Sequence, residues 1–208
     1  MGQSYSQIYD WKPELPDVRD TIYKYPKLSV KLPDNFDLRK SFKDYTSDFG
    51  SSSATSVSAV LDSYGLRYTF NNKCDLSSIN DCIKNFKLID ENSNSVDKQL
   101  KYCKISSYKN QIKQSLNNGH PVIFGFTIYK SFELENVKET GFYKDPENNE
   151  KILGGLCAII VGYDKEKNHW IVKHTLGKDY GDNGYIYISC DTLENNSASN
   201  DFWIITYN

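Results

Sequence analysis

The rhythm of hydrophobic positions changes part-way along the chain. In SSSATSVSAVLDSYGLRY, residues 51–68, apolar or small side chains stand at Ala54, Val57, Val60, Leu61 and Tyr64. That spacing predicts a helix with one buried face. Ser51, Ser52 and Ser53 are placed to cap its start. DLSSINDCIKNF at 75–86 predicts a second helix, with Asp75 or Ser77 as cap. SYKNQIKQSLNNG at 107–119 predicts a third, with Ile112 and Leu116 on one face and Gly119 ending it. Beyond Gly119 the pattern turns to short apolar or alternating runs: PVIFGFTIY, ILGGLCAIIVGYD, HWIVKHTLG, GYIYIS and FWIITYN. Turn residues separate them, so they predict five strands of an antiparallel sheet or barrel. Residues 1–34 are different again. Pro13, Pro16, Pro26 and Pro33 break any period, and the stretch reads as an extended arm laid over the surface. The order is therefore arm 1–34, helical lobe 35–105 and β-rich lobe 106–208, an α+β chain.

Composition narrows the function classes. The 208 residues carry 25 Lys+Arg against 27 Asp+Glu, a net charge of −2. There is no basic excess to displace counterions, which argues against a nucleic-acid partner. No apolar run approaches the ~20 residues of a membrane span, and the start MGQSYSQIYDWK has no signal-peptide pattern. These features favour an intracellular or virion protein over a secreted one. The same start fits the N-myristoylation pattern at Gly2, the one route to a membrane that the sequence offers. Asn195-Asn196-Ser197 is a glycosylation sequon, discounted without a secretion signal.

The five cysteines, Cys74, Cys82, Cys103, Cys157 and Cys190, include no C-x-x-C pair, and the three histidines have no metal-ligand spacing. No metal or cofactor is expected, and the thiols read as reduced and mostly buried. On an alternating strand Cys157 should face the lobe core. One thiol and one imidazole still suffice for covalent catalysis, so the positions have to decide.

Four windows together resemble one family. They are YDWKPELPDVRD with LPDNFDLR, SDFGSSSATSVSAV, IKQSLNNGHPVIFGFTIYKSFE, and GGLCAIIVGYDKEKNHWIVKHTLGKDYGDNGYIYIS. The chain resembles the papain-like cysteine peptidases, in the branch known from bacteria and large DNA viruses. The resemblance covers most of residues 10–190 and is most specific in VGYD…GKDYGDNGYIYI. It implies a papain-like two-lobe fold, a helical lobe against an antiparallel β-barrel lobe, with a cleft between them. It also implies four catalytic positions. The oxyanion-binding Gln falls on Phe49 and the nucleophilic Cys on Ala54; a shift of one offers Ser53 or Thr55. The general-base His falls on Leu156, its orienting Asn on His174, and the shielding Trp on Leu176.

Those replacements predict that the chain is not an enzyme, since the general base and the oxyanion donor are each worth ~10²–10⁴ in rate. The glycines Gly154, Gly155, Gly162, Gly177, Gly181 and Gly184 remain, read here as turn glycines of a retained fold. The expectation is a catalytically inactive homologue that binds or builds, a virion or assembly component with a protein or peptide partner. Ser53, Thr55, Gly155 and Leu176 would line its cleft. The alternative is a residual hydrolase that uses Ser51, Ser52 or Ser53 with His174.

Overall fold

A computed structural model of the chain describes residues 9–25, 31–42, 49–71, 73–96, 100–194 and 198–207. The acylation motif at Gly2 and the sequon at 195–197 lie outside the described residues.

Among the described residues ten strands and five α-helices follow in order. Strand β1 is Asn35–Asp37, helix α1 Ser52–Ser63, β2 Tyr68–Phe70, α2 Ile79–Asn85, β3 Phe86–Leu88 and β4 Leu100–Lys104. Then come α3 Lys109–Asn117, β5 Val122–Tyr129, α4 Glu135–Thr140, β6 Phe142–Tyr143, β7 Ile152–Asp164, β8 His169–Lys173, β9 Tyr185–Ser189, α5 Cys190–Glu194 and β10 Ser199–Tyr207. The five strands expected after Gly119 are all present. The second helix is shorter than its window, because its cap is Ser78, whose hydroxyl accepts from the Asp81 N–H at 2.9 Å.

Eight strands form one sheet in the order β4-β10-β5-β7-β8-β9-β6, with β1 paired to β7; β2 and β3 form a separate hairpin. All pairings are antiparallel except β6 with β9. Strands β1 and β4 lie within the stretch 35–105 read as the helical lobe, yet both join the large sheet. Their three and five residues are too short for alternation to stand out from the sequence around them.

The sheet is covered on both faces. Along β5, Val122, Phe124, Phe126 and Ile128 join Ile112 and Leu116 of α3 in one cluster, while Ile123 joins the other. Along β7, Leu156, Ala158 and Ile160 face the α3 side, while Cys157, Ile159 and Val161 pack with Ala54, Val57, Val60 and Leu61 of α1. This two-sided burial explains why ILGGLCAIIVG reads as an unbroken apolar run. Among the described residues no helix is long and apolar enough to cross a membrane, and no cluster of metal-binding side chains occurs.

Candidate functional site at the head of the central helix

Helix α1 starts at a point where three parts of the chain meet. Ser51 is its N-cap residue, but that side chain makes no capping bond; its hydroxyl donates to the Leu76 carbonyl instead. The cap is delivered from the arm. The Asp10 carboxylate accepts from the Ser52 hydroxyl at 2.6 Å and from the Ser52 N–H at 3.3 Å. A carboxylate here satisfies an otherwise orphan donor and lies against the positive end of the helix dipole. The Ser52 oxygen in turn accepts the Cys157 N–H of β7 at 3.1 Å. One hydroxyl thus ties arm, helix and sheet together. Asp10→Ala is expected to lower stability by about 1–2 kcal/mol, the usual worth of a helix cap; urea unfolding midpoints measure it.

The arm continues along β7 as an added extended segment. Asp10 bridges Gly155 in parallel register, and the Trp11 N–H donates to the Gly155 carbonyl at 3.0 Å. Trp11 is buried, packed in the cluster shared by α1 and the sheet. Its indole lies in a slot made by missing side chains. A Cβ on Gly125 of β5 would stand 1.8 Å from Trp11 Cε2, and one on Gly155 would stand 2.3 Å from the Trp11 carbonyl oxygen. A Cβ on Gly154 would stand 2.7 Å from the Tyr9 carbonyl oxygen. Gly154 and Gly155, expected in a turn, are therefore strand residues kept bare so that the arm can approach.

Farther along, the arm is held by acidic side chains. Glu14 accepts from the Ser78 hydroxyl at 2.7 Å and the Asn80 N–H at 3.1 Å, at the start of α2. The Glu14 N–H donates to Asp201 at 2.9 Å. Asp201 sits at φ 55, within the irregular register of β10 between Asn200 and Trp203, a bulge that turns its side chain toward the arm. Burial pushes the Asp201 carboxyl up to about 6. Asp20 pairs with Lys84 at 2.7 Å and Lys104 at 3.0 Å. Burial opposes its ionisation, but the hydrogen bonds from Lys84 and Lys104 outweigh that and hold the carboxyl below its ordinary value.

The positions singled out in the sequence separate as follows. Ala54 is wholly buried under the sheet, and Phe49 packs edge-on to Phe70 at 5.3 Å between ring centres. Leu156 lies on the face of β7 turned away from α1, among Phe124, Phe126 and Tyr9. The β7 side chain that faces the helix is Cys157, in the cluster joining α1 to the sheet. Burial pushes the Cys157 thiol well above the ordinary thiol range. Ser53 and Thr55 are buried and Leu176 half-buried; of the four expected cleft residues, Gly155 is the one that the arm covers.

His174 is not brought to the serines. Its Nε2 bonds the Tyr180 carbonyl at 3.0 Å and its Nδ1 accepts from the Leu176 N–H at 3.1 Å. Meanwhile the Ser51, Ser52 and Ser53 hydroxyls donate to the Leu76 carbonyl, Asp10 and the Ser77 carbonyl. An accepting Nδ1 requires the neutral imidazole. Burial lowers the His174 pKa to about 4. The unfolded chain therefore binds this proton first. The stabilisation is complete above about pH 6.5 and is lost as pH falls toward 4, a change of roughly 3 kcal/mol. His174→Asn is expected to remove this part of the acid sensitivity, read from urea unfolding at pH 7 and pH 4.

Comparison with known proteins completes the picture. Residues 62–204, more than half of the chain, match the family model described as papain family cysteine protease. The chain belongs to the papain family of cysteine proteases. A peptidase C1-like protein of Acanthamoeba polyphaga mimivirus is 32% identical over 118 residues, 53% of this chain and 38% of that protein. Cathepsin S of Bos taurus is 33% identical over 76 residues, 36% of this chain and 22% of its own length. The chain thus matches well under half the length of these relatives. Among solved structures, xylellain, a cysteine protease from Xylella fastidiosa, superposes with a TM-score of 0.83 at 21% identity, covering 100% of this chain and 99% of that one. ProCathepsin B S9 from Trypanosoma congolense gives 0.69 at 14% identity, covering 98% and 88%.

These matches bear out the papain-like fold and the likeness to a viral member of the family. They overturn the expectation that the chain is not an enzyme. The model that fits is that of a cysteine protease family, and proteases share the fold over 98–100% of this chain. Replacement at positions aligned by sequence motif was the sole ground for that expectation. The parts that sequence reading missed are Asp10, Trp11, Ser52 and the orientation of Cys157. A glycine in mid-strand, Gly125, was the available signal for a close approach.

Proposed function

We propose that this papain-family protein takes an extended polypeptide along the seam between α1 and the large sheet, with its own arm showing the mode. The observation that carries the reading is the Trp11 N–H to Gly155 carbonyl bond at 3.0 Å, made while the indole fills the slot over Gly125 and Gly155. Backbone pairing of this kind gives affinity without sequence preference, and a slot for one side chain gives selectivity. The ligand is an extended peptide with an aromatic residue, and peptide-bond hydrolysis is the activity of the family to which the seam belongs. The tethered arm competes at high effective concentration, so an added ligand has to displace it.

The test is a fluorescein-labelled peptide with the sequence of residues 9–14, added to the unaltered chain and to the Trp11→Ala variant. Anisotropy is expected to show saturable binding to the variant and at least tenfold weaker binding to the unaltered chain. Mass spectrometry of the same mixtures reads any cleavage of the peptide. A folded variant that binds no peptide, and cleaves none, would remove the proposal.

A further inference from the structure

Two thiols outside the seam stand together. Cys74 lies half-exposed in the loop before α2, Cys82 lies buried within α2, and their sulfurs are 4.0 Å apart. A disulfide bond needs about 2.05 Å, so closure asks for roughly 2 Å of approach, the scale of a side-chain rotation. The other three cysteines, Cys103, Cys157 and Cys190, are buried, and Cys103 and Cys190 belong to the α3 side of the sheet. The Cys82 sulfur also lies 3.7 Å from the Asp75 carbonyl oxygen and 3.6 Å from that of Leu76. These weak contacts hold it against the segment that carries Cys74.

We propose that Cys74 and Cys82 form a dithiol–disulfide couple, oxidised by small-molecule disulfides. The Cys74 thiolate attacks one sulfur of the incoming disulfide, forming a mixed disulfide and expelling one small thiolate. Cys82 gives its proton to the small thiolate just expelled at Cys74 and attacks the Cys74 sulfur. The Cys74–Cys82 bond forms, the second small thiolate leaves, and one external disulfide has been reduced to two thiols. Cys74 reacts first because it alone of the pair reaches solvent. Burial raises both thiols above their ordinary value, so the exchange quickens as pH rises.

The location gives the couple a consequence. The ring it closes contains Leu76 and Ser77, whose carbonyls accept from Ser51 and Ser53 at the head of α1. It also contains Ser78, which donates to Glu14 of the arm at 2.7 Å. Oxidation therefore fixes the segment on which both the helix head and the arm rest. This inference does not depend on the seam binding peptide.

The test uses the full chain and oxidised glutathione. After incubation at pH 8, remaining thiols are alkylated in denaturant. Intact mass is expected to show loss of two hydrogens, with three of the five cysteines open to alkylation. Trypsin, cutting after Lys73 and Lys84, releases Cys74 and Cys82 in one peptide lighter by the same two hydrogens. A second cut before Asp75 and Asp81 frees residues 75–80 and leaves Cys74 joined to residues 81–84 until reduced. In Cys82→Ala, glutathione is expected to remain on Cys74. Five alkylated cysteines after incubation, a bond between any other pair, or a lasting glutathione adduct on Cys74 of the unaltered chain would each overturn the proposal. The unaltered chain supplies the primary reading, so the result stands even if the variant folds poorly.

Discussion

Trp11→Ala is expected to cost about 3–5 kcal/mol, the range for removing a large buried aromatic side chain, and to free the arm. The indole is 4% exposed and lies in a cluster with α1, β5 and β7, so its loss leaves a cavity at the junction of arm, helix and sheet. Strand-like backbone bonds remain available to the arm, notably Tyr23 N–H to the Lys104 carbonyl at 2.9 Å. The expected outcome is local release around residues 9–14, with the sheet still folded. Hydrogen exchange separates the two: amides of 9–14 should exchange at least tenfold faster, and those of β5 and β7 should not. Uniform acceleration would mean that the arm and the sheet unfold as one unit.

Gly125→Val is expected to do comparable damage by the opposite route. A Cβ would stand 1.8 Å from Trp11 Cε2, so valine and indole cannot both occupy the slot. Overpacking costs about 1–3 kcal/mol where neighbours can shift. Here expulsion of the indole sets the ceiling, near the cost of Trp11→Ala itself. The two changes should therefore be strongly non-additive. In a Trp11→Ala background, Gly125→Val should be neutral or stabilising, because a β-branched residue suits a strand and fills the vacated slot. Urea unfolding of the four proteins in this cycle measures the coupling. Additive costs would show that Gly125 is bare for a reason other than Trp11.

The sequence made some levels of the structure legible and left others hidden. The β-rich half was readable because its apolar runs are set off by turn residues, and β7, buried on both faces, has no polar beat to confuse it. Helix α1 was readable from Ala54, Val57, Val60 and Leu61. Its cap was not. Three serines stood at the right place, yet Ser51 and Ser53 turn to the carbonyls of Leu76 and Ser77, and the capping carboxylate comes from Asp10, 42 residues away. Local rules cannot see a partner at that separation. The short strands β1 and β4 were hidden for a related reason: their state is decided by the neighbours they pair with. The glycines of β7 were seen and misread, since a glycine at a turn and a glycine beneath a crossing backbone look alike in one sequence. The candidate site shows the same limit. Motif alignment puts the general-base position on Leu156, and the register of β7 turns Leu156 to the α3 side and Cys157 toward α1. A step of one residue along a strand exchanges its two faces, so which β7 side chain meets the helix depends on a register that motif spacing alone does not show.

The ion pairs of Asp20 have one more consequence. Its carboxylate is 2% exposed and sits between Lys84 and Lys104, whose ammonium groups lie 5.6 and 5.1 Å from the centre of the Trp203 ring. At physiological ionic strength the Debye length is about 8 Å, and mobile ions screen exposed charges far better than buried ones. A concentrated salt wash should therefore leave the arm seated, although acidic and basic side chains hold it.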